Sequence, residues 1–261
     1  MPIKEEPAGS GPDAVCVPMN EDETPDTFYQ GRVLVLQKKK GYRFALDAPL
    51  LADFIHVRPA DELLELGTGS GIIPLLLSLK PFAHIIAIEI QDALADLARR
   101  NVSANRLDER ITVVHGDFRK YRSLKKFDVV FSNPPYIPQK TGFLSVTAEK
   151  SVAKHELKCD ILGVMRATAR LLKKDGRAYF IYPARREEDL RKAVEKNGLH
   201  LYALRYVHPR KGTAANLFLA ECRFSARETR LLPALVLSDD RGETTAEARQ
   251  VFEGKTRGPA D

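Results

Sequence analysis

No run of apolar residues in this chain of 261 approaches the roughly 18 to 20 that a membrane-spanning helix requires. The positive-then-apolar order of a signal peptide is missing too, because the first 27 residues are acidic and rich in proline and glycine. Both absences point to a cytoplasmic protein. Cysteine is scarce, and Cys16, Cys159 and Cys222 stand too far apart for a CxxC redox pair or a zinc knuckle. Their odd number fits reduced, ordinary thiols, and no metal site is expected.

At 44% hydrophobic residues the chain is long enough to bury one sizeable core. Its net charge of +6 suits a polyanionic partner, although charge alone does not select nucleic acid. Residues 1–27 combine Pro2, Pro7, Pro12, Pro18 and Pro25 with Gly9, Gly11 and an acidic cluster at Glu21–Glu23. That composition cannot bury a core, so a disordered arm is expected there. One domain is expected over 28–225. The extension 226–261 holds a strand-like run, Leu231–Leu237, and room for one short helix around Thr245–Phe252. Monomer and homodimer stay equally open.

Between the arms, short β-branched or apolar runs alternate with amphipathic stretches, the order of a parallel sheet with helices on both faces. The expected strands are Glu62–Leu66, His84–Glu89, Ile111–His115, Phe127–Ser132 and Arg177–Tyr182. The expected helices are Ile72–Leu79, Ala93–Asn105, Asp160–Leu172 and Arg186–Asn197; in the second, Leu94, Leu97, Ala98 and Val102 make one apolar face. Two long runs, Leu199–Val207 and Ala214–Arg223, read as an antiparallel hairpin closing one edge. The fold class is α/β and Rossmann-like, with a seven-stranded, mostly parallel sheet. Its terminal antiparallel hairpin resembles the class I methyltransferases, whereas a nicotinamide-binding sheet keeps its last strand parallel.

Leu63-Leu64-Glu65-Leu66-Gly67-Thr68-Gly69-Ser70-Gly71 places three alternate glycines where a strand ends and a helix begins, so the backbone can turn sharply and approach a ligand closely. The dinucleotide pattern GxGxxG would need glycine at Pro74, and GxxxxGK[ST] is absent, so pyrophosphate is not the obvious ligand. The E-x-G-x-G-x-G spacing resembles the first motif of S-adenosylmethionine enzymes. That resemblance implies cofactor contacts from Glu65, Gly67, Thr68, Gly69 and Gly71. Glu89 ends the next strand, where a carboxylate can accept from both ribose hydroxyls; the alternative is a solvated strand end. Asp117 ends the third strand. In the same resemblance it meets the cofactor's adenine amino group and Phe118 borders the purine, while on its own Asp117 reads as a helix N-cap.

Asp128-Val129-Val130-Phe131-Ser132-Asn133-Pro134-Pro135-Tyr136 is the most specific feature. Two adjacent prolines after a strand stiffen the turn and leave no amide donor at either position. An exocyclic amino nitrogen is a poor nucleophile because its lone pair is delocalised into the ring. Two acceptors, the side-chain oxygen of Asn133 and the carbonyl of Pro134, can bind both N–H groups and aim the lone pair at an activated methyl. Tyr136 offers a flat face for stacking, worth roughly 1–3 kcal/mol per base. Asn133 thus borders both substrate and cofactor. The alternative is a strand-terminating turn with a buried tyrosine.

The flanks narrow the substrate. Asp26-Thr27-Phe28-Tyr29-Gln30-Gly31 with Leu34, Leu36 and Gln37, then Gly41-Tyr42-Arg43-Phe44-Ala45-Leu46-Asp47 and Leu50-Leu51-Ala52, resemble the amino-terminal signature of the bacterial valine-tRNA adenine N6-methyltransferases. Lys154-His155-Glu156 and Val207-His208-Pro209 match two later elements of that family. The resemblance implies S-adenosylmethionine as cofactor and an adenine amino group in a tRNA anticodon loop as target. It also places Gly41, Arg43, Phe44 and Asp47 on the open side of the cofactor pocket, although Phe44 reads equally as core and Asp47 as an N-cap. His155 would shape the base pocket or contact RNA, and a structural role stands beside that. The target base must turn outward, with basic residues guiding phosphates. The candidates are Lys38, Lys39 and Lys40; Arg119, Lys120 and Arg122; Lys125 and Lys126; and Arg210 with Lys211, each of which is otherwise a solvated face.

Three rivals remain. The release-factor glutamine methyltransferases share the NPPY logic but precede it with a helical bundle, for which little chain is available before Glu62. Methyltransferases of other rRNA or DNA base amino groups fit the same turn. A catalytically inactive RNA-binding module would have no reason to keep Asn133, Pro134 and Tyr136.

Overall fold

Runs such as Leu63-Leu64-Glu65-Leu66 can be covered on both faces only in the middle of a sheet flanked by helices. The computed structural model, which describes residues 19–39, 46–134, 161–225 and 228–255, puts them there. In chain order come β1 (Glu23–Phe28), β2 (Val33–Lys38), α1 (Asp47–Phe54), β3 (Glu62–Leu66), α2 (Ile72–Leu77), β4 (His84–Glu89), α3 (Asp92–Ala104), β5 (Ile111–His115) and β6 (Phe127–Ser132). Then follow α4 (Ile161–Leu171), β7 (Leu172–Pro183), α5 (Glu187–Lys196), β8 (His200–Arg210), β9 (Leu217–Arg223), β10 (Arg230–Leu231), β11 (Leu235–Ser238) and α6 (Ala246–Phe252).

The main sheet runs β10-β8-β9-β7-β6-β3-β4-β5, with β11 also against β8. Strands β3 to β7 are mutually parallel, and β9 is antiparallel to both β7 and β8. Alternation along the central strands divides the core. Leu63, Val129, Phe131, Tyr179 and Ile181 pack with residues of α1, α2 and α6, whereas Leu64, Leu66, Val130, Ala178 and Phe180 pack with residues of α4 and α5. Successive strands move outward from β3 through β4 to β5, then return to its other side at β6. That reversal opens a crevice beyond the carboxyl ends of β3 and β6, the place where open α/β sheets take ligands.

Two expectations need correction. Composition predicts disorder through residue 27, yet Glu23–Phe28 is a strand paired with β2. Its order comes from distant partners: the Glu23 carboxylate is buried and receives two N–H bonds from Arg100, at 2.7 and 2.6 Å, which hold its pKa down at about 2. The main sheet has nine strands, not seven. The two extra ones, β10 and β11, lie parallel to β8 and cover what would be an open edge. Helix α6 follows, capped by the Thr245 hydroxyl, which accepts from the Ala248 N–H at 3.2 Å. Among the described residues no helix is long and apolar enough to cross a membrane. Cys222 is a buried free thiol; Cys16 and Cys159 lie outside the described residues.

Candidate active site

The glycine loop leaves β3 at Gly67 and turns with φ of +81° at Gly67, +60° at Gly69 and +83° at Gly71, values open mainly to glycine. Gly71 is doubly constrained, because a Cβ there would stand 3.3 Å from the Ala98 Cβ of α3. The N–H groups of Gly67 and Thr68 both bond the Ile88 carbonyl at 2.9 Å, tying the loop to the end of β4. One residue further, Glu89 completes the tie: Oε2 accepts from the Gly69 N–H at 2.8 Å and Oε1 from the Gln91 N–H at 2.9 Å. Burial pushes the Glu89 carboxyl up and the backbone donors at Gln91 and Gly69 hold it down. Each oxygen keeps a lone pair for a ribose hydroxyl, so this carboxylate can strap the loop and still receive a ligand.

Glu65 lies beneath the loop, and burial pushes its carboxyl up to about 8. The Thr68 side chain is close enough to moderate that shift, yet Glu65 Oε2, Thr68 Oγ1 and Ser70 Oγ are all buried without a hydrogen-bond partner. Three such atoms within six residues of chain are costly unless a ligand satisfies them.

Asn133 and Pro134 follow β6, which neighbours β3 with Phe131 opposite Glu65. The Ser132 hydroxyl donates to the Leu66 carbonyl at 2.6 Å. Because Leu66 precedes Gly67 and Ser132 precedes Asn133, that one buried bond sets the glycine loop and the Asn-Pro turn side by side. Asn133 is half-buried and Pro134 buried. Ser132 carried no sequence signal of its own, since only the pairing of β3 with β6 gives it a partner.

Asp117 stands two residues beyond β5, at the same end of the sheet. Arg119 meets its carboxylate with the backbone N–H at 2.9 Å and the guanidinium at 2.7 Å, and this neighbour holds the Asp117 pKa below the usual range. No helix follows before β6, so Asp117 caps a turn and the helix N-cap alternative is not realised; Phe118 is buried behind it. Asp47 is the first residue of α1, and Leu46 rather than Asp47 is its N-cap residue. Lys38 pairs with Asp22 at 2.9 Å, and Lys39 Nζ donates to the Glu21 carbonyl at 2.6 Å, so the hairpin's own acidic end draws on both charges. Arg210 is exposed at the carboxyl end of β8, on the same edge as the glycine loop but with β9, β7 and β6 between, about 20 Å away at the usual strand spacing. Lys40, Arg43, Phe44, Pro135, Tyr136 and His155 lie outside the described residues.

Residues 43–182 match the family described as the methyltransferase small domain. A tRNA1(Val) (adenine(37)-N6)-methyltransferase of Bacteroides thetaiotaomicron is 33% identical over 176 residues, 67% of this chain and 73% of its own. Its namesake in Aliivibrio fischeri is 32% identical over 162 residues, 62% of this chain and 68% of its own. Among solved structures, a predicted O-methyltransferase of Agrobacterium tumefaciens superposes with a TM-score of 0.63 at 19% identity, covering 81% of this chain and 97% of that one. At that identity the likeness speaks for the fold.

Proposed function

The chain belongs to the methyltransferase small domain family and, within it, to the tRNA1(Val) (adenine(37)-N6)-methyltransferases, and from that membership we propose that it methylates the N6 amino group of an adenine in a tRNA anticodon loop, with S-adenosylmethionine as methyl donor. The observation that carries the proposal is the Ser132–Leu66 bond, which joins the glycine loop to the Asn133-Pro134 turn at the sheet's switch point.

The donor fits the residues present. Its amino-acid end brings an ammonium group, a match for the unpartnered oxygens of Glu65, Thr68 and Ser70. Glu89 has lone pairs to spare for ribose hydroxyls, and Phe118 gives an apolar border for a purine. When bound, S-adenosylmethionine supplies a methyl carbon made electrophilic by a positively charged sulfur. The protein's own task is to orient the amino group. Asn133 Oδ1 and the Pro134 carbonyl accept its two N–H bonds, which localises on nitrogen the lone pair otherwise delocalised into the ring. Neither acceptor needs to ionise, and the amino group's surplus proton passes to water. Tyr136 stacks on the base, and Arg210 with Lys211 takes phosphates further along the loop.

Purified protein incubated with labelled donor and unmodified tRNA should place methyl on adenine N6, while release factor should take up none. Asn133→Ala should cut turnover by about 100-fold or more and leave affinity for S-adenosylhomocysteine within about threefold, since it touches the amino group. Methyl on the release factor and none on tRNA, or full turnover by the variant, would sink the proposal.

A further inference from the structure

Two asparagines stand one turn apart on the side facing β2: Asn101 within helix α3 and Asn105, the residue that caps its carboxyl end. Asparagine is a poor helix former, and Asn101 is completely buried. Both side chains treat β2 as a neighbouring strand would. Asn101 Oδ1 accepts from the Leu36 N–H at 2.6 Å and its Nδ2 donates to the Leu36 carbonyl at 3.0 Å. Asn105 Oδ1 accepts from the Leu34 N–H at 2.9 Å and its Nδ2 donates to the Leu34 carbonyl at 2.7 Å. The match is geometric: four residues of helix advance about 6 Å and two residues of strand about 6.8 Å. Through this pair the outer backbone groups of β2 at Leu34 and Leu36 are satisfied without another strand.

The two amides differ in their second donor. Asn105 spends it within its own helix, on the Asn101 carbonyl at 2.7 Å. Asn101 spends it on the Ser70 carbonyl of the glycine loop at 2.8 Å. Ala98, three residues earlier on the same face of α3, is the side chain against which Gly71 packs. One face of α3 thus grips Ser70 and Gly71 together, and the Gly71 N–H closes the turn on the Thr68 carbonyl at 3.1 Å.

We propose that Asn101 is a positioning residue for the cofactor loop: its amide locks the Ser70–Gly71 peptide to β2, so that docking of the amino-terminal hairpin sets the shape of the loop. The effect on cofactor rests on reading the loop as the S-adenosylmethionine site, whereas the effect on loop order does not. The β1–β2 hairpin is then a working part of the site even where it touches no ligand. Arg100, one residue before Asn101, holds the buried Glu23 of β1 and fixes the same hairpin from its other strand.

Asn105 supplies the control, because replacing it breaks the same kind of clamp without touching the loop. In ligand-free protein, Asn101→Ala should speed hydrogen exchange at the amides of residues 69–71 about tenfold, and weaken S-adenosylhomocysteine binding about tenfold, with turnover at saturating donor within about threefold. Asn105→Ala should loosen residues 33–35, which it clamps at Leu34, while Asn101 still holds Leu36, so loop exchange and ligand affinity should stay within about twofold. If Asn101→Ala does not fold, Asn101→Asp replaces it. That variant keeps the acceptor for Leu36 and loses both donors when ionised, so its affinity deficit against wild type should shrink at low pH, where the acid regains one O–H. Equal loop loosening by the Asn101 and Asn105 variants, or unchanged loop exchange in both Asn101 variants, overturns the proposal. Failure of wild-type protein to bind S-adenosylhomocysteine would instead remove the cofactor reading, and the exchange comparison would still decide what Asn101 does.

Discussion

Ligand-free protein should lose stability as pH rises from 5 to 8, and Glu65→Gln should remove much of that loss. Burial raises the Glu65 carboxyl from 4.5 to about 8, so folding takes up a proton at this side chain. The stability tied to the neutral acid is whole below 4.5 and is gone once the pH passes the folded value near 8. At up to 1.36 kcal/mol per pH unit, less where either state is only partly titrated, the window from 5 to 8 is worth about 3–4 kcal/mol, or roughly 6–16 °C in melting temperature for a domain of this size. Glutamine keeps the shape and cannot titrate. The assay is thermal unfolding of both proteins from pH 5 to 9 without ligand, reading the difference between them, which cancels the other titrating groups. The wild-type melting temperature should fall relative to the variant across that window. A cationic ligand beside Glu65 reverses its preference, so calorimetry at pH 7 in two buffers of unlike ionisation heat should show proton release on donor binding. Parallel melting curves through pH 5–8 would refute the reasoning, because a carboxyl truly sealed from water cannot ionise without cost.

Two further outcomes follow from close approaches. Gly71→Val forces a left-handed φ of +83° on a branched residue and drives its Cβ toward Ala98, so it should cost at least about 1–2 kcal/mol and abolish S-adenosylhomocysteine binding, checked by melting temperature and calorimetry. Gly254 sits at φ +63° where a Cβ would come within 2.5 Å of the Tyr29 ring, and Arg32 bonds the Glu253 carbonyl beside it at 2.8 Å; Gly254→Val should therefore lower stability by about 1–3 kcal/mol in denaturant unfolding while the glycine-loop chemistry is untouched.

The central strands were legible because their signals are local. Glu62–Leu66, His84–Glu89, Ile111–His115 and Phe127–Ser132 have the bounds that the sequence predicts, since each is a short apolar run closed by glycine, a charge or proline. The glycines of the loop were legible for a related reason: only glycine holds positive φ readily, so the backbone demand is written into the residue type. β1 was not legible. It contains Pro25 and Asp26 beside acids, and its order is owed to Arg100 and to β2, which local composition does not register. In the tail the run Leu231–Leu237 was legible as strand-like, and the structure divides it around Pro233 into β10 and β11; what local sequence did not register is the edge of β8 that they cover.

The same division runs through the candidate site and explains which of its residues were missed. Gly67, Gly69, Gly71, Glu89 and Asn133 announce themselves because each is a chemical type tied to a strand end. Ser132 and Asn101 do not, because a serine or an asparagine acquires its meaning from the group set opposite it by the fold. Both spend their polar atoms on backbone carbonyls next to the glycine loop, Leu66 for Ser132 and Ser70 for Asn101. A loop of three glycines has little stiffness of its own, so something must remove the freedom that glycine brings. Here Glu89 restrains Gly69 while Asn101 and Ser132 grip the carbonyls on either side. The conformational freedom needed to admit a ligand and the rigidity needed to hold it are thus assigned to different residues, and the sequence advertises the first set far more openly than the second.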